Sequence, residues 1–278
     1  MKKLEFNKKP LIMGILNVTP DSFSDGGKFF SLDKAVKHAI QMEKEGADII
    51  DIGGESTRPG ARPISVKEEM NRVIPVVEKL IDKIKIPISI DTYKSKIAQK
   101  TLDLGASMIN DITALRGDEK LSEVVAEYDV PICLMHMKGA PQNMQVNPEY
   151  DDVVEEIKDF LKERSEYAIS KGIKKKNIIV DPGLGFGKRT GKGVEDNLEI
   201  LNRLRELTNL GYPVMIGASR KTFIGNFFGD GETLPVSKRL EGSLATAIVA
   251  IVNGANIIRV HDVKETRHYV DIINYGRI

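Results

Sequence analysis

The chain has 278 residues, 41% of them hydrophobic, with 41 basic against 40 acidic side chains and a formal net charge of +1. That is enough apolar material for one barrel-sized core or two smaller ones. The balanced charge leaves no electrostatic footprint for nucleic acid or an anionic membrane surface, and no apolar run approaches the ~18 residues of a membrane span.

The residues from Met1 to Pro10 are short of apolar character and do not read as a secretion signal. Short runs rich in Ile and Val then alternate with longer amphipathic ones. Strands are expected over 11–18, 48–53, 87–91, 108–112, 131–136, 177–181, 213–217 and 256–261. They are mostly continuous in apolar character, as strands covered on both faces read. Helical spacing occupies 31–45, 65–84, 95–104, 121–128, 150–171, 197–210 and 238–253, with a last helix from Val263 and a short one over 223–228. Gly46, Gly105, Gly172, Gly211 and Gly254 mark helix ends just before the next strand. Strand–helix alternation implies right-handed parallel crossovers. Eight such units give an α/β fold, a single-domain (β/α)8 TIM barrel over 1–278; a doubly wound open sheet is the competing arrangement. The single cysteine, Cys133, lies in an apolar strand and is expected to be a buried, inert thiol. A reducing, cytoplasmic setting fits it.

A barrel enzyme carries its chemistry beyond the C-terminal ends of its strands. Here those ends bear Asn17, Glu55/Thr57/Arg58, Asp91, Asn110/Asp111, His136, Asp181, Ser219/Lys221 and Arg259/His261. Each alone could cap a helix or tie a turn; eight on one rim point to a binding site. Asp91, Asn110 and Asp181 each follow an apolar run, and buried groups of this kind need partners. They suit a flat ligand presenting adjacent N–H donors and a carbonyl, a pterin or a guanine. Met135 and Phe186 could sandwich such a ring or simply fill core. Arg259 and His261 alternate and so share a side; with Thr57 and Arg58 they suit phosphate, for which an arginine offers a bidentate fork. Asn17 offers a carbonyl oxygen to Mg²⁺, which keeps phosphate oxygens and waters as its other ligands. Ser219-Arg220-Lys221-Thr222 opens the short helix, whose free N–H groups attract an anion. Arg220 reads as a surface charge, and His136 and His38 receive no role.

Two loops complete the pattern, Asn-Val-Thr-Pro-Asp-Ser-Phe-Ser-Asp-Gly-Gly over 17–27 and Gly-Gly-Glu-Ser-Thr-Arg-Pro-Gly over 53–60. Together with Ile90-Asp91-Thr92, Ile109-Asn110-Asp111, Asp181-Pro182-Gly183, Ser219-Arg220-Lys221 and Arg259-Val260-His261-Asp262, they run in the order found in the dihydropteroate synthase family, which this chain resembles from end to end. The resemblance implies a transferase that joins 6-hydroxymethyl-7,8-dihydropterin pyrophosphate to p-aminobenzoate, Mg²⁺-dependent and SN1-like. It places Asp91, Asn110, Asp181 and Lys221 on the pterin, and Asn17, Arg259 and His261 on pyrophosphate and metal, with Thr57 and Arg58 beside them. Phe23, Pro59, Ser219 and Thr222 would shape the p-aminobenzoate pocket, which should also accept sulfonamides. Asp25, Asp91 and Lys221 form the implied catalytic set, Asp25 acting when the first loop closes. The family also implies a homodimer with small-molecule substrates and no nucleic-acid or membrane partner. The chain ends soon after its last helix, so no fused partner domain is expected. Two rivals share the barrel. A pterin-binding methyltransferase would pass a methyl group from methyltetrahydrofolate to a corrinoid protein, but needs neither long loop. A non-catalytic pterin-binding protein would bind without turnover.

Overall fold

The computed structural model describes residues 4–6, 9–19, 28–58, 60–191, 194–229 and 231–275. Eight parallel strands form the barrel wall: β1 (Leu11–Asn17), β2 (Ile49–Gly53), β3 (Ile88–Asp91), β4 (Met108–Asp111), β5 (Ile132–Met135), β6 (Ile178–Asp181), β9 (Met215–Ile216) and β10 (Ile257–Val260). They follow the order β6-β5-β4-β3-β2-β1-β10-β9. A parallel bridge between Val180 and Val214 closes the ring, with the Val180 N–H donating to Pro213 O at 2.9 Å. Closure decides against the open doubly wound sheet.

The strands read as continuously apolar because both faces are covered, and the register shows how the faces divide. Register partners in a parallel sheet share a face. One parity joins Leu11, Met13, Ile49, Met108, Cys133, Ile179, Met215 and Ile257 in a single buried cluster, with Leu4 and Phe6 packed against it. This is the interior floor of the barrel, and it contains Cys133, buried as expected, its thiol pushed up by burial. The other parity, which includes Ile12, Ile50, Ile88, Ile109, Ile132, Val180 and Ile258, packs outward against the helices.

The helices are α1 (Lys28–Lys44), α2 (Val66–Leu80), α3 (Ser95–Asp103), α4 (Lys120–Tyr128), α5 (Val153–Ser170), α6 (Asp196–Asn202), α7 (Leu204–Thr208), α8 (Thr222–Phe227), α9 (Leu240–Val252) and α10 (Val263–Tyr275). Side-chain caps set two of the starts. Ser65 accepts from the Glu68 N–H of α2 at 3.2 Å, and Asp152 accepts from the Val154 and Glu155 N–H groups of α5 at 2.9 and 3.1 Å. The five helix-stopping glycines all adopt left-handed φ, from +77° at Gly211 to +108° at Gly105.

Two expectations need correction. The helix expected over 197–210 is two helices, broken at Arg203, whose guanidinium is drawn to Asp152, Glu199 and Glu206. A two-stranded hairpin, β7 (Thr190–Gly191) and β8 (Val194–Glu195), stands between β6 and α6, where no element was expected. Arg189 fixes its base through Asp196, donating to both carboxylate oxygens.

Candidate active site

The inward parity changes character along the barrel axis. Below it is the apolar floor; above it, at the C-terminal strand ends, it becomes Asn17, Asp51, Asp91, Asn110, Asp181 and Arg259. The register makes this explicit. Asn17 aligns with Gly53, Gly53 with Asp91, Asp91 with Asn110, and Met135 with Asp181. Polar groups are thus presented upward from a dry wall, as a ligand cup requires.

Arg259 ties this cup together. Its Nε donates to Asp51 Oδ2 at 2.7 Å and its Nη2 to Asp91 Oδ2 at 2.8 Å. Asn110 Nδ2 donates to the same Asp51 oxygen at 3.0 Å, which leaves the Asn110 carbonyl free to accept from a ligand. Asp51 is completely buried, and its Oδ1 has no partner among the described residues. Sequence reading missed Asp51 as a site residue, although a carboxylate inside the run Ile49-Ile50-Asp51-Ile52 was itself a signal, because a charge in such a wall must be paired. The arginine expected on phosphate therefore also binds two carboxylates of the cup, joining groups that the sequence kept apart.

Burial pushes the Asp91 carboxyl up to about 7, with Asp51 adding repulsion and Arg259 pulling back. Burial alone would lower Arg259, but Asp51 and Asp91 outweigh it and hold the guanidinium charged. Burial also raises Asp181 against the pull of Lys221, and its Oδ1 accepts from the Gly183 N–H at 2.7 Å. Burial lowers Lys221 to about 8, with Asp181 opposing. Lys221 reaches across to donate to Leu184 O, and its Nζ stands 4.4 Å from the centre of the Phe186 ring. Met135 is buried with Ile112, Met137 and Met144 on the same inward parity as its register partner Asp181, and Phe186 packs against that group half-buried.

His261 lies just past β10. Its backbone N–H donates to Ser219 Oγ at 3.1 Å, and Oγ lies 3.0 Å from its Nδ1. The set is fully satisfied with the Ser219 hydroxyl donating to Nδ1, leaving Nε2–H as a neutral donor. Burial, then repulsion from Arg259 and Arg220, lowers His261 to about 4; Arg58 adds to the repulsion, which places its charge toward the same site. Thr57 is half-buried and Arg58 exposed, while Thr222 is exposed at the start of α8. Phe23, Asp25 and Pro59 lie outside the described residues.

Four expectations at the rim change. Asp111 caps a turn, accepting from the Thr113 and Leu115 N–H groups at 2.7 and 2.6 Å. Glu55 is held by Lys94 at 2.5 Å. Arg220, read as a surface charge, pairs with Asp262 through Nε at 2.9 Å and adopts φ +58°, fixing the turn that carries Ser219 and Lys221. His136 is buried and meets Lys188, whose Nζ lies 3.0 Å from Nδ1 and donates to Gly183 O and Phe186 O at 3.1 and 2.9 Å. Lys188 was missed; it supports the glycine turn under Phe186. That turn needs glycine at 183, where φ is +67° and a Cβ would lie 1.9 Å from His136 O. A separate surface cleft between α5, the hairpin and α6 is lined by Asp152, Arg189, Asp196 and Arg203, which pair with one another.

Residues 13–261 match the family model for pterin binding enzymes. The chain is 46% identical to the dihydropteroate synthase of Clostridium beijerinckii over 95% of its own length and 93% of the relative. It is 49% identical to that of Escherichia coli over 92% and 88%. A dihydropteroate synthase from Clostridium difficile, solved in the presence of pteroic acid, superposes with a TM-score of 0.90 at 47% identity, covering 99% of each chain. A Xanthomonas albilineans dihydropteroate synthase in complex with 7,8-dihydropteroate gives 0.87 at 41%, covering 99% of this chain and 95% of that one. With this barrel, this cup and these relatives, the chain belongs to the pterin binding enzymes, on their dihydropteroate synthase branch.

Proposed function

We propose that the protein condenses 6-hydroxymethyl-7,8-dihydropterin pyrophosphate with p-aminobenzoate, giving 7,8-dihydropteroate and pyrophosphate. The observation that carries this is the inward row of Asp91, Asn110 and Asp181 at the strand ends, with Lys221 and Arg259 beside them. The carboxylates and the free Asn110 carbonyl accept from the ring's amino and N–H groups, and Lys221 donates to its carbonyl. Phe186 covers one face. Arg259 and the neutral His261 donate to the pyrophosphate, joined by Arg58 and Thr57 from the second loop.

The C–O bond to the exocyclic methylene breaks with its electron pair on the pyrophosphate, and the cation that remains is delocalised over the ring. Asp91, raised toward neutrality when the cup is empty, is drawn fully to its anion by that cation and stabilises it electrostatically. The arylamine of p-aminobenzoate then attacks the methylene with its lone pair, its nitrogen releasing one proton to solvent as the C–N bond forms. Its carboxylate faces the turn at Ser219 and the start of α8, with Thr222 at the opening. Asp25 and Phe23 act from the first loop and Pro59 from the second.

Among the described residues no three His, Cys, Asp or Glu side chains converge on one point. Magnesium needs fewer protein ligands than that, since it retains phosphate oxygens and waters, and the half-buried Asn17 amide at the end of β1 offers it an oxygen. Bound there, it would supply charge neutralisation for the leaving pyrophosphate. A homodimer is supported by apolar side chains left exposed on the neighbouring helices α9 and α10, Val249, Val252, Tyr269, Ile272 and Tyr275.

Titration calorimetry tests the pterin site. Asn110→Leu should weaken dihydropterin pyrophosphate binding by about 10–100-fold, the effect of leaving a buried donor unpaired. A sulfonamide should compete with p-aminobenzoate and leave the pterin KM unchanged. Unaltered pterin affinity in the Asn110 variant would overturn the proposed orientation of the ring.

A further inference from the structure

Lys94 lies three residues beyond the end of β3 and is buried. Its ammonium makes three donor contacts, to Glu55 Oε2 at 2.5 Å, Glu69 Oε2 at 2.5 Å and Ile64 O at 2.9 Å. An ammonium has three hydrogens, so every donor is used. The acceptors come from one stretch of chain. Glu55 opens the loop after β2, Ile64 stands just before its end, and Glu69 belongs to α2, which follows. Glu55 is held from two further directions, by Tyr93 OH on Oε1 at 3.1 Å and by the Ile64 N–H on Oε2 at 3.0 Å. Arg72 of α2 donates to Gly54 O at 2.9 Å beside it. Both ends of the loop therefore close on one buried nitrogen, and the chain between them carries Thr57 and Arg58.

Stability alone does not account for this cluster. One carboxylate neutralises one ammonium; a second at the same distance repels the first, and Glu69 Oε1 is left buried without a partner among the described residues. A lone Lys94–Glu69 pair would join β3 to α2 without that repulsion. What Glu55 adds is a fixed base for the loop.

We propose that Lys94 is a positioning residue that clamps both ends of the β2–α2 loop and thereby sets where Thr57 and Arg58 stand at the barrel mouth. The functional half of this inference rests on the proposed role of that loop in binding the pyrophosphate. Releasing the clamp should free the loop and weaken substrate capture while leaving the barrel intact.

Hydrogen exchange read by mass spectrometry on the full chain, paired with steady-state kinetics, tests it. Glu55→Ala is the informative variant, because the Lys94–Glu69 pair survives and keeps β3 joined to α2. The amides of 56–64 should then exchange about tenfold faster or more, while those of α2 and β3 keep their wild-type rates. The KM for dihydropterin pyrophosphate should rise about tenfold, and kcat should change less. Tyr93→Phe, which deletes one hydroxyl and leaves the ion cluster whole, should show the same local signature at smaller amplitude. Unchanged exchange over 56–64 in both variants would overturn the clamp, as would acceleration spread equally through α2 and β3. Accelerated loop exchange with an unchanged KM would leave the clamp standing and overturn its link to substrate.

Discussion

Replacing Arg259 by methionine keeps most of the side-chain volume and removes the guanidinium that bridges Asp51 and Asp91 at 2.7 and 2.8 Å. Both carboxylates then lose their guanidinium. Asp91 stands already near 7 and can take up a proton. Asp51 is completely buried, keeps only the Asn110 amide as a described partner, and already has one oxygen unpaired. Removing one member of a buried pair costs about 3–5 kcal/mol, because the charge left behind is uncompensated. That is a large share of the roughly 5–15 kcal/mol that holds a domain folded. At roughly 2–4 °C per kcal/mol it lowers the melting temperature by roughly 6–20 °C. Adding Asp51→Asn removes the stranded charge and should restore most of the loss without restoring activity, since the pyrophosphate still lacks its guanidinium. Urea unfolding followed by circular dichroism, with kinetics on the same preparations, reads both quantities. A single variant within about 1 kcal/mol of wild type, or a double variant less stable than the single, would refute the reasoning, because either result means Asp51 is not held by Arg259.

Gly183→Ala should lower both stability and turnover, since a Cβ there would lie 1.9 Å from His136 O at a φ of +67°; melting curves and kcat check it, and wild-type values for both would contradict the close packing of the turn. His261 is depressed from 6.5 to about 4, so its contribution to stability is complete above pH 6.5 and is lost as pH falls toward 4. The acid limb of the stability profile should therefore be shallower in His261→Gln than in wild type, and identical limbs would exclude a buried neutral imidazole. Lys188 is lowered from 10.5 to about 7 by burial, so wild type should gain stability relative to Lys188→Met as pH rises from 7 toward 10.5. A difference that stays flat with pH would mean the ammonium is solvated.

The barrel was legible because strand–helix alternation is a local pattern, written eight times and punctuated by glycines that the structure places at positive φ. The inward polar row was legible for a related reason: Asp91, Asn110 and Asp181 each end an apolar run, and a polar residue there has few places to point but the barrel mouth. The limits were physical. Asp111 and Asp91 look alike in sequence, yet they fall on opposite faces of their strands, and only the register separates a turn cap from a side chain facing the barrel mouth. The clustering of Lys94 with Glu55 and Glu69, and of Lys188 with His136, depends on side chains meeting across strands. The break between α6 and α7 at Arg203 has no local signal, because the sequence keeps its helical spacing through 197–210.

The most direct test is formation of 7,8-dihydropteroate from dihydropterin pyrophosphate and labelled p-aminobenzoate, run with Mg²⁺ and with EDTA. Labelled product and pyrophosphate should appear in equal amounts with Mg²⁺ and fall away with EDTA. A folded protein that binds dihydropterin pyrophosphate but forms no product with Mg²⁺ would contradict the synthase activity itself.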